Sequence, residues 1–530
     1  MQNNKLSFMG KTVWSAGQTH RGYMKMRSIY KALAANLEER SHLSGVMGIL
    51  HWDQEVIMPP GAEEARARQI SALAGVLHQK ATDPEIGGWL AKLEQDNLSG
   101  FNELEICNIR EARRDYDRET KVPGELVREL AELGSRAHGV WVKARKDNRF
   151  ADFVPVLKRF VALKKQWAHY IEPQQAPYDV CIDSYERDAT MAQIDPLFAR
   201  LKSELVPLIR AVQSATYRPE ASFLEGPFDV EKQKDLARRI SRDIGFSFDH
   251  GRMDVSVHPF CGGSHPTDVR ITTRYRTDDF VESLYAVIHE TGHGLYEQGR
   301  MAEARDLPVS EPLTMGIHES QSLFWERMVA QRKSFCAHYL DLFASTFPDK
   351  LQGVSAQALY EAINICRPSL IRVEADEVTY PLHVILRYEI EKSLFAGDVE
   401  VEQLPELWND KMQEYLGIRP ATDAEGILQD IHWSMGAFGY FPSYTLGAMT
   451  ACQFFNALKK DVPDVDEKIE HGEFAGIKSW LNENIHNKGR LYSSAELLRR
   501  VTGETLNADH FIRHLNEKYR AIYRLESGGE

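Results

Sequence analysis

The stretch from Ala286 to Glu297, AVIHETGHGLYE, limits what this chain can fold into more than any other. On an α-helix, residues four apart share a face, so His289 and His293 can grip one metal ion while Glu290, one residue round, reaches a water beside it. Val287, Ile288 and Leu295 give the same helix an apolar back, so a core lies behind it and a cleft in front. This HExxH spacing is the one zinc hydrolysis uses, and a catalytic zinc takes three protein ligands and leaves a position for water. Glu297 continues the row of residues four apart, but it stands about 12 Å from His289 along the axis. The third ligand must therefore come from a second, packed helix. The next segment, Gly316 to Glu326, offers Glu319, Leu323 and Glu326 on one stripe, with Ser320, Phe324 and Trp325 available for packing.

Apolar spacing predicts helix for most of the remaining chain. Ile29, Leu33 and Leu37 begin a run from Ser28 that breaks at Met58-Pro-Pro-Gly61, where the prolines remove donors. Further helices are expected over 62–80, 83–96, 100–120, 123–146, 153–170 and 191–217. The tryptophans at 52, 89, 141 and 167 are expected at helix contacts in the core. The exception is a small antiparallel sheet just before the motif helix. Asp254 to Phe260 and Asp268 to Tyr275 alternate apolar and polar residues around a loop from Cys261 to Pro266. An exposed edge of such a sheet could carry an extended peptide across the metal.

The bulk properties exclude several roles. With 43% hydrophobic and 27% charged residues and no linker or repeat, the 530-residue chain reads as one large helical domain over 28–530. Residues 1–27 are basic and acid-poor without the apolar core of a signal peptide, and are expected to be a disordered extension or the product of a start codon placed too far upstream. A net charge of −13 argues against nucleic acid or an anionic membrane as partner, and no apolar run is long enough to span a bilayer. Six scattered cysteines without a CxxC pair fit free thiols in a reducing, cytoplasmic setting.

Two later stretches hold more polar residues than packing requires: Pro368 to Leu394, with Arg372, Asp376, Tyr380, His383 and Arg387, and Gly426 to Tyr444. With these the chain resembles the carboxypeptidase Taq (M32) family of metallocarboxypeptidases. The resemblance runs from about Ser28 to Tyr523 and rests on five motifs in order: Asp268-Val-Arg270-Ile-Thr272, the HExxH, His318-Glu319-Ser320-Gln321, Ile371-Arg372-Val-Glu-Ala375-Asp376, and Gly426-Ile-Leu-Gln429-Asp430-Ile-His432-Trp433. Trp52 to Gly61 and Gly439 to Gly447 also look like the family.

The resemblance implies a mainly helical spindle with a deep central groove, a homodimer, and release of single residues from free peptide C-termini with broad side-chain tolerance. It places the metal ligands on His289, His293 and Glu319 and the general base on Glu290. The expected ion is Zn2+, with Co2+ able to substitute. Tyr444 is the first choice of oxyanion donor, with Tyr440 and His258 behind it. Arg372 is the expected anchor for the terminal carboxylate, because a guanidinium fork binds a carboxylate through two bonds. Arg270 is either a second anchor or a partner of Asp268. A zinc endopeptidase of similar helical build and a non-catalytic metal-binding helical protein are the other two classes these residues allow.

Overall fold

A computed structural model describes residues 16–95, 98 and 100–525 of the chain. Helix α1 (Ala16–Val56) ends where Pro59 and Pro60 withdraw two backbone donors, and α2 (Glu63–Ala81), α3 (Pro84–Gln95) and α4 (Glu103–Lys121) follow. Asn102 starts α4 with a reciprocal cap: its side chain accepts from the Glu105 amide, and Glu105 accepts from the Asn102 amide. Of the segment 1–27, expected to lie outside the folded body, residues 16–27 are helix in α1, and residues 1–15 lie outside the described residues. Met26 packs into a small core with Tyr30, Leu33, Ile86, Leu90 and Ile109, and Arg27 pairs with Glu105 at 2.7 Å.

This N-terminal group of helices has its own core, and a second, much larger core runs from Val122 to Tyr523. Helices Gly124–Lys146, Val154–Ile171 and Met191–Ser214 agree with the expected spans to within a few residues. Among the described residues no helix is long and apolar enough to cross a membrane, and all six cysteines are free thiols.

The sheet differs from expectation. It has three strands, β1 (Gly251–Val255), β2 (Cys261–His265) and β3 (Asp268–Thr273), in the order β1-β3-β2. The segment read as a loop is itself a strand, antiparallel to β3, whereas β1 runs parallel to β3. Glycines hid β2: Gly262 and Gly263 carry no side-chain pattern, and Gly263 has φ +135°, a conformation that suits glycine. The chain also leaves strand geometry earlier than the alternation implies. Ser256 Oγ donates to the His258 carbonyl (2.6 Å) and lies 2.7 Å from the Thr272 hydroxyl, and Pro259 has no donor to give.

Of the two edge strands, β2 is covered by α1. A Cβ on Gly45 would stand 2.5 Å from the Ser264 carbonyl oxygen, so only a glycine face lets helix and strand backbones come this close. Trp52, near the end of α1, is clasped between the guanidiniums of Arg252 and Arg270, each 4.7 Å from its ring. The sheet is thus tied to the N-terminal helices on one side and to the HExxH helix on the other.

Candidate active site

The HExxH helix spans Phe280–Gln298 and begins at Asp279, whose side chain accepts from the amides of Val281 and Glu282. Val287, Ile288 and Leu295 are fully buried, as an apolar back requires. Its two glycines set what it touches. A Cβ on Gly292 would stand 2.6 Å from the Gln321 carbonyl oxygen and 2.7 Å from Ser322 Cα; one on Gly294 would meet Phe246 at 2.7 Å and Ile271 at 3.3 Å. Gly292 therefore admits the helix Met315–Leu323, and Gly294 admits β3.

The helix Met315–Leu323 is capped by Thr314, which accepts from the Ile317 amide, and a third helix, Pro442–Asp461, closes on it from the far side. Gly447 of that third helix lies against Glu319, where a Cβ would come within 2.8 Å of the Glu319 Cβ and Cγ. Glu319 is thereby pressed toward the HExxH helix.

The result is a cluster of three ligand atoms within 4.8 Å of one another, from His289, His293 and Glu319. Glu319 Oε2 is 3.5 Å from His293 Nε2 and 3.8 Å from His289 Nε2. Ligands about 2.1 Å from a tetrahedral ion are themselves roughly 3.4 Å apart, so the spacing fits a zinc-sized cation. The rings are also oriented for it. His289 Nδ1 meets Glu326 Oε2 at 2.7 Å, and His293 Nδ1 meets His318 Nδ1 at 2.6 Å, with His318 Nε2 passing on to Glu297 Oε1 at 3.0 Å. Glu326 and His318 stand where they can take the Nδ1 protons, which is the tautomer that frees both Nε2 atoms for a metal ion beside Glu319.

Charge follows the same geometry. Burial opposes the charge on Glu319, yet the two imidazoles hold its carboxyl at about 2. Burial lowers His293 to about 4, with His318 and His289 adding to the fall. Burial lifts the Glu290 carboxyl to about 7, with Glu319 adding to the rise and His289 opposing it.

Comparison with known proteins decides what carries this cluster. The sequence profile of the carboxypeptidase Taq (M32) metallopeptidase family matches residues 32–519. The chain belongs to the M32 family. It is 38% identical over 502 residues to carboxypeptidase 1 of Bacillus subtilis, covering 95% of this chain and all of that protein. It is likewise 38% identical to the thermostable carboxypeptidase 1 of Thermus thermophilus, covering 94% of this chain and all of that one. The crystal structure of an M32 carboxypeptidase from Deinococcus radiodurans superposes with a TM-score of 0.91 at 36% identity, covering 94% of this chain and 100% of that one. An M32 metallopeptidase uses a divalent metal and acts on peptides.

Beside the ligand cluster of this M32 chain lies a second polar group. Arg372 is buried, donating from Nε to Asp430 Oδ1 (2.9 Å) and from Nη1 to the Tyr380 hydroxyl (2.6 Å), with its guanidinium 4.8 Å from the Tyr444 ring. Arg387, fully buried against Trp408, donates to the other Asp430 oxygen at 2.6 Å. Two guanidiniums thus share one carboxylate.

Tyr444 meets His432 Nε2 through its hydroxyl at 3.2 Å, and Tyr440 packs edge-on against it with centroids 5.3 Å apart. Burial raises the phenols of Tyr380, Tyr440 and Tyr444, and the Glu319 charge adds to each shift.

The other expected residues sit elsewhere. Arg270 is engaged by Asp268 through two bonds (2.9 and 3.0 Å) and lies over Trp52. The His258 side chain is exposed between β1 and β2. Glu326 and Glu297 carry orienting roles that spacing had not assigned. Glu326, on the stripe it shares with Glu319, meets His289 from residues Phe324–Ala330, a π-helical turn that no side-chain pattern announces. A cleft of about 640 Å³ between α1, α2, α4 and β2 reaches His318 and Glu297.

Proposed function

We propose that the chain is a zinc-dependent carboxypeptidase that removes single residues from free peptide C-termini with broad side-chain tolerance. His289, His293 and Glu319 hold the ion. The observation that carries the reading is the convergence of both Nε2 atoms on Glu319 Oε2 at 3.5 and 3.8 Å, with Glu290 buried one residue from His289. Bound there, zinc supplies Lewis acidity toward the scissile carbonyl and lowers the pKa of a water to about 7. Glu290, buried beside His289, takes a proton from the attacking water and returns it to the leaving amine nitrogen. The Tyr444 hydroxyl donates toward the oxygen that gains charge.

The terminal carboxylate falls to Arg372. In the buried trio of Arg372, Arg387 and Asp430 one positive charge lacks a counter-charge, and an incoming carboxylate supplies it. Arg270 already has a carboxylate in Asp268, which favours Arg372 as the anchor. Free thiols and the acidic balance support a cytoplasmic enzyme, and assembly as a homodimer completes the reading.

The test is a time course on an unblocked peptide with mass readout, run with metal, with chelator and with Glu290→Gln. A ladder of single C-terminal losses that vanishes in the last two arms is the expected result. Internal fragments would replace the reading with an endopeptidase, and no turnover in any arm would leave a metal-binding protein.

A further inference from the structure

The helix that carries Glu319 is held by a stretch outside every motif of the sequence. The amides of Met315, Gly316 and Ile317, in its first turn, have no carbonyl of their own helix to bond to, as at any helix N-terminus. Thr314 Oγ1 accepts from Ile317 at 3.2 Å, the ordinary local cap. The other two amides are answered from 130 residues away. Met315 donates to the Tyr185 carbonyl at 3.1 Å, and Gly316 donates to Glu186 Oε1.

Glu186 is buried against this first turn. A Cβ on Gly316 would stand 2.8 and 2.9 Å from its two carboxylate oxygens. Gly447 of Pro442–Asp461 meets the same turn, where an added Cβ would lie 2.8 Å from Glu319 Cβ and 3.0 Å from the Gly316 carbonyl oxygen. Two contacts thus grip the turn, and each is made through a glycine. Glu319 lies three residues beyond Gly316, less than one turn, so any slide or rotation at Gly316 carries the Glu319 carboxylate with it.

The stretch that supplies Glu186 is itself pinned. Asp183 receives Arg114 at 2.9 Å and Arg118 at 2.7 Å, and Arg187 pairs with Glu111, so both ends are tied to α4. Its middle touches the aromatic run as well. Tyr185 packs edge-on against Tyr440 with centroids 4.9 Å apart, and a Cβ on Gly439 would stand 2.6 Å from the Ile182 amide nitrogen. One short stretch therefore holds the Glu319 helix and the Tyr440 phenol in a fixed relation.

We propose that Glu186 is a positioning residue for the metal centre: it sets the register of Met315–Leu323 so that Glu319 stands on the Nε2 atoms of His289 and His293. It acts through the helix rather than on the ion. Thr314 already supplies the local cap, and what Glu186 adds is a tie to a distant part of the molecule. The inference rests on the proposed reading of Glu319 as a metal ligand.

Glu186→Leu keeps the bulk and removes the acceptor, and Glu186→Gln returns an acceptor oxygen to the same place. In a competitive chelator titration of the full chain, the Leu variant is expected to bind zinc roughly tenfold or more weakly. With Co2+ in place of zinc, its visible d–d bands are expected to shift, because the carboxylate has moved against the imidazoles, and the Gln variant restores both readouts. Gly316→Ala displaces the clamp with both partners kept, since its methyl would meet the Glu186 oxygens, and is expected to shift the same bands. It decides the matter if the Leu variant does not fold. A fall in Tm with zinc affinity and bands unchanged is what a purely structural cap gives, and it would overturn the proposal. So would a loss that Glu186→Gln leaves unrepaired. Glu319→Ala separates the two readings. If it keeps full zinc affinity, the ligand assignment fails and this inference with it; if it loses zinc while Glu186→Leu does not, this inference alone is overturned.

Discussion

Glu290 and Glu326 make different demands on one cluster, and substitution separates them. Glu290→Gln keeps the shape and removes the proton acceptor; kcat is expected to fall by about 10²–10⁴ with bound zinc, measured by atomic absorption, unchanged. Glu326→Gln leaves Glu290 in place but weakens the hold on His289 Nδ1. Zinc affinity is then expected to drop roughly 10–100-fold in a competitive chelator titration, with kcat largely restored at saturating metal. Arg372→Ala is expected to cost about 2–5 kcal/mol in kcat/KM on a peptide with a free C-terminus, and far less on its amidated twin. Equal losses on the two substrates would remove Arg372 from the role of anchor.

At the scale of elements, the cluster depends on backbones coming closer than side chains normally permit. Gly292 and Gly447 carry this: one sets the HExxH helix against Met315–Leu323, and the other sets Pro442–Asp461 against Glu319. Gly447→Ala places a methyl where Glu319 Cβ and Cγ stand, 2.8 Å away. The expected outcome is overpacking of about 1–3 kcal/mol in chemical denaturation, with zinc affinity falling more than stability does, because the displaced group is a proposed ligand. Gly476→Ala is the control, since nothing lies within 4 Å of its added Cβ.

For the whole molecule, two buried carboxyls outside the ligand cluster bear on pH stability. Burial lifts Glu186 and Glu391 to about 7, although Glu391 accepts from Tyr178, Trp433 and the Gly439 amide, and Glu186 accepts from the Gly316 amide. Both bind a proton more tightly folded than unfolded. Their contribution is therefore complete below the ordinary value near 4.5 and is lost as pH rises through about 7. Glu391→Gln, which stays neutral and still accepts, is expected to flatten the fall of Tm between pH 4.5 and 7 in calorimetry. An unchanged slope would mean that these carboxyls do not titrate with unfolding.

The helices, the HExxH and the need for a second ligand-bearing helix were legible because they rest on local periodicity and on the reach of one helix face. Leu33, Leu90 and Leu157 are buried where a period of 3.6 puts them. The early start of α1 was not legible, since the basic run before Ser28 reads as solvated chain until Arg27 finds Glu105. Strand direction in the sheet was not legible either, because alternation carries no sign of parallel or antiparallel pairing. The sequence by itself determined which side chains face together on each helix. Only the tertiary structure decided which helices meet, through glycines such as Gly292 and Gly447 whose meaning is the neighbour they admit, and which charge is left over once Asp430 has been shared out. Packing and charge balance are properties of pairs distant in the chain, and a pattern read along the chain contains no term for them.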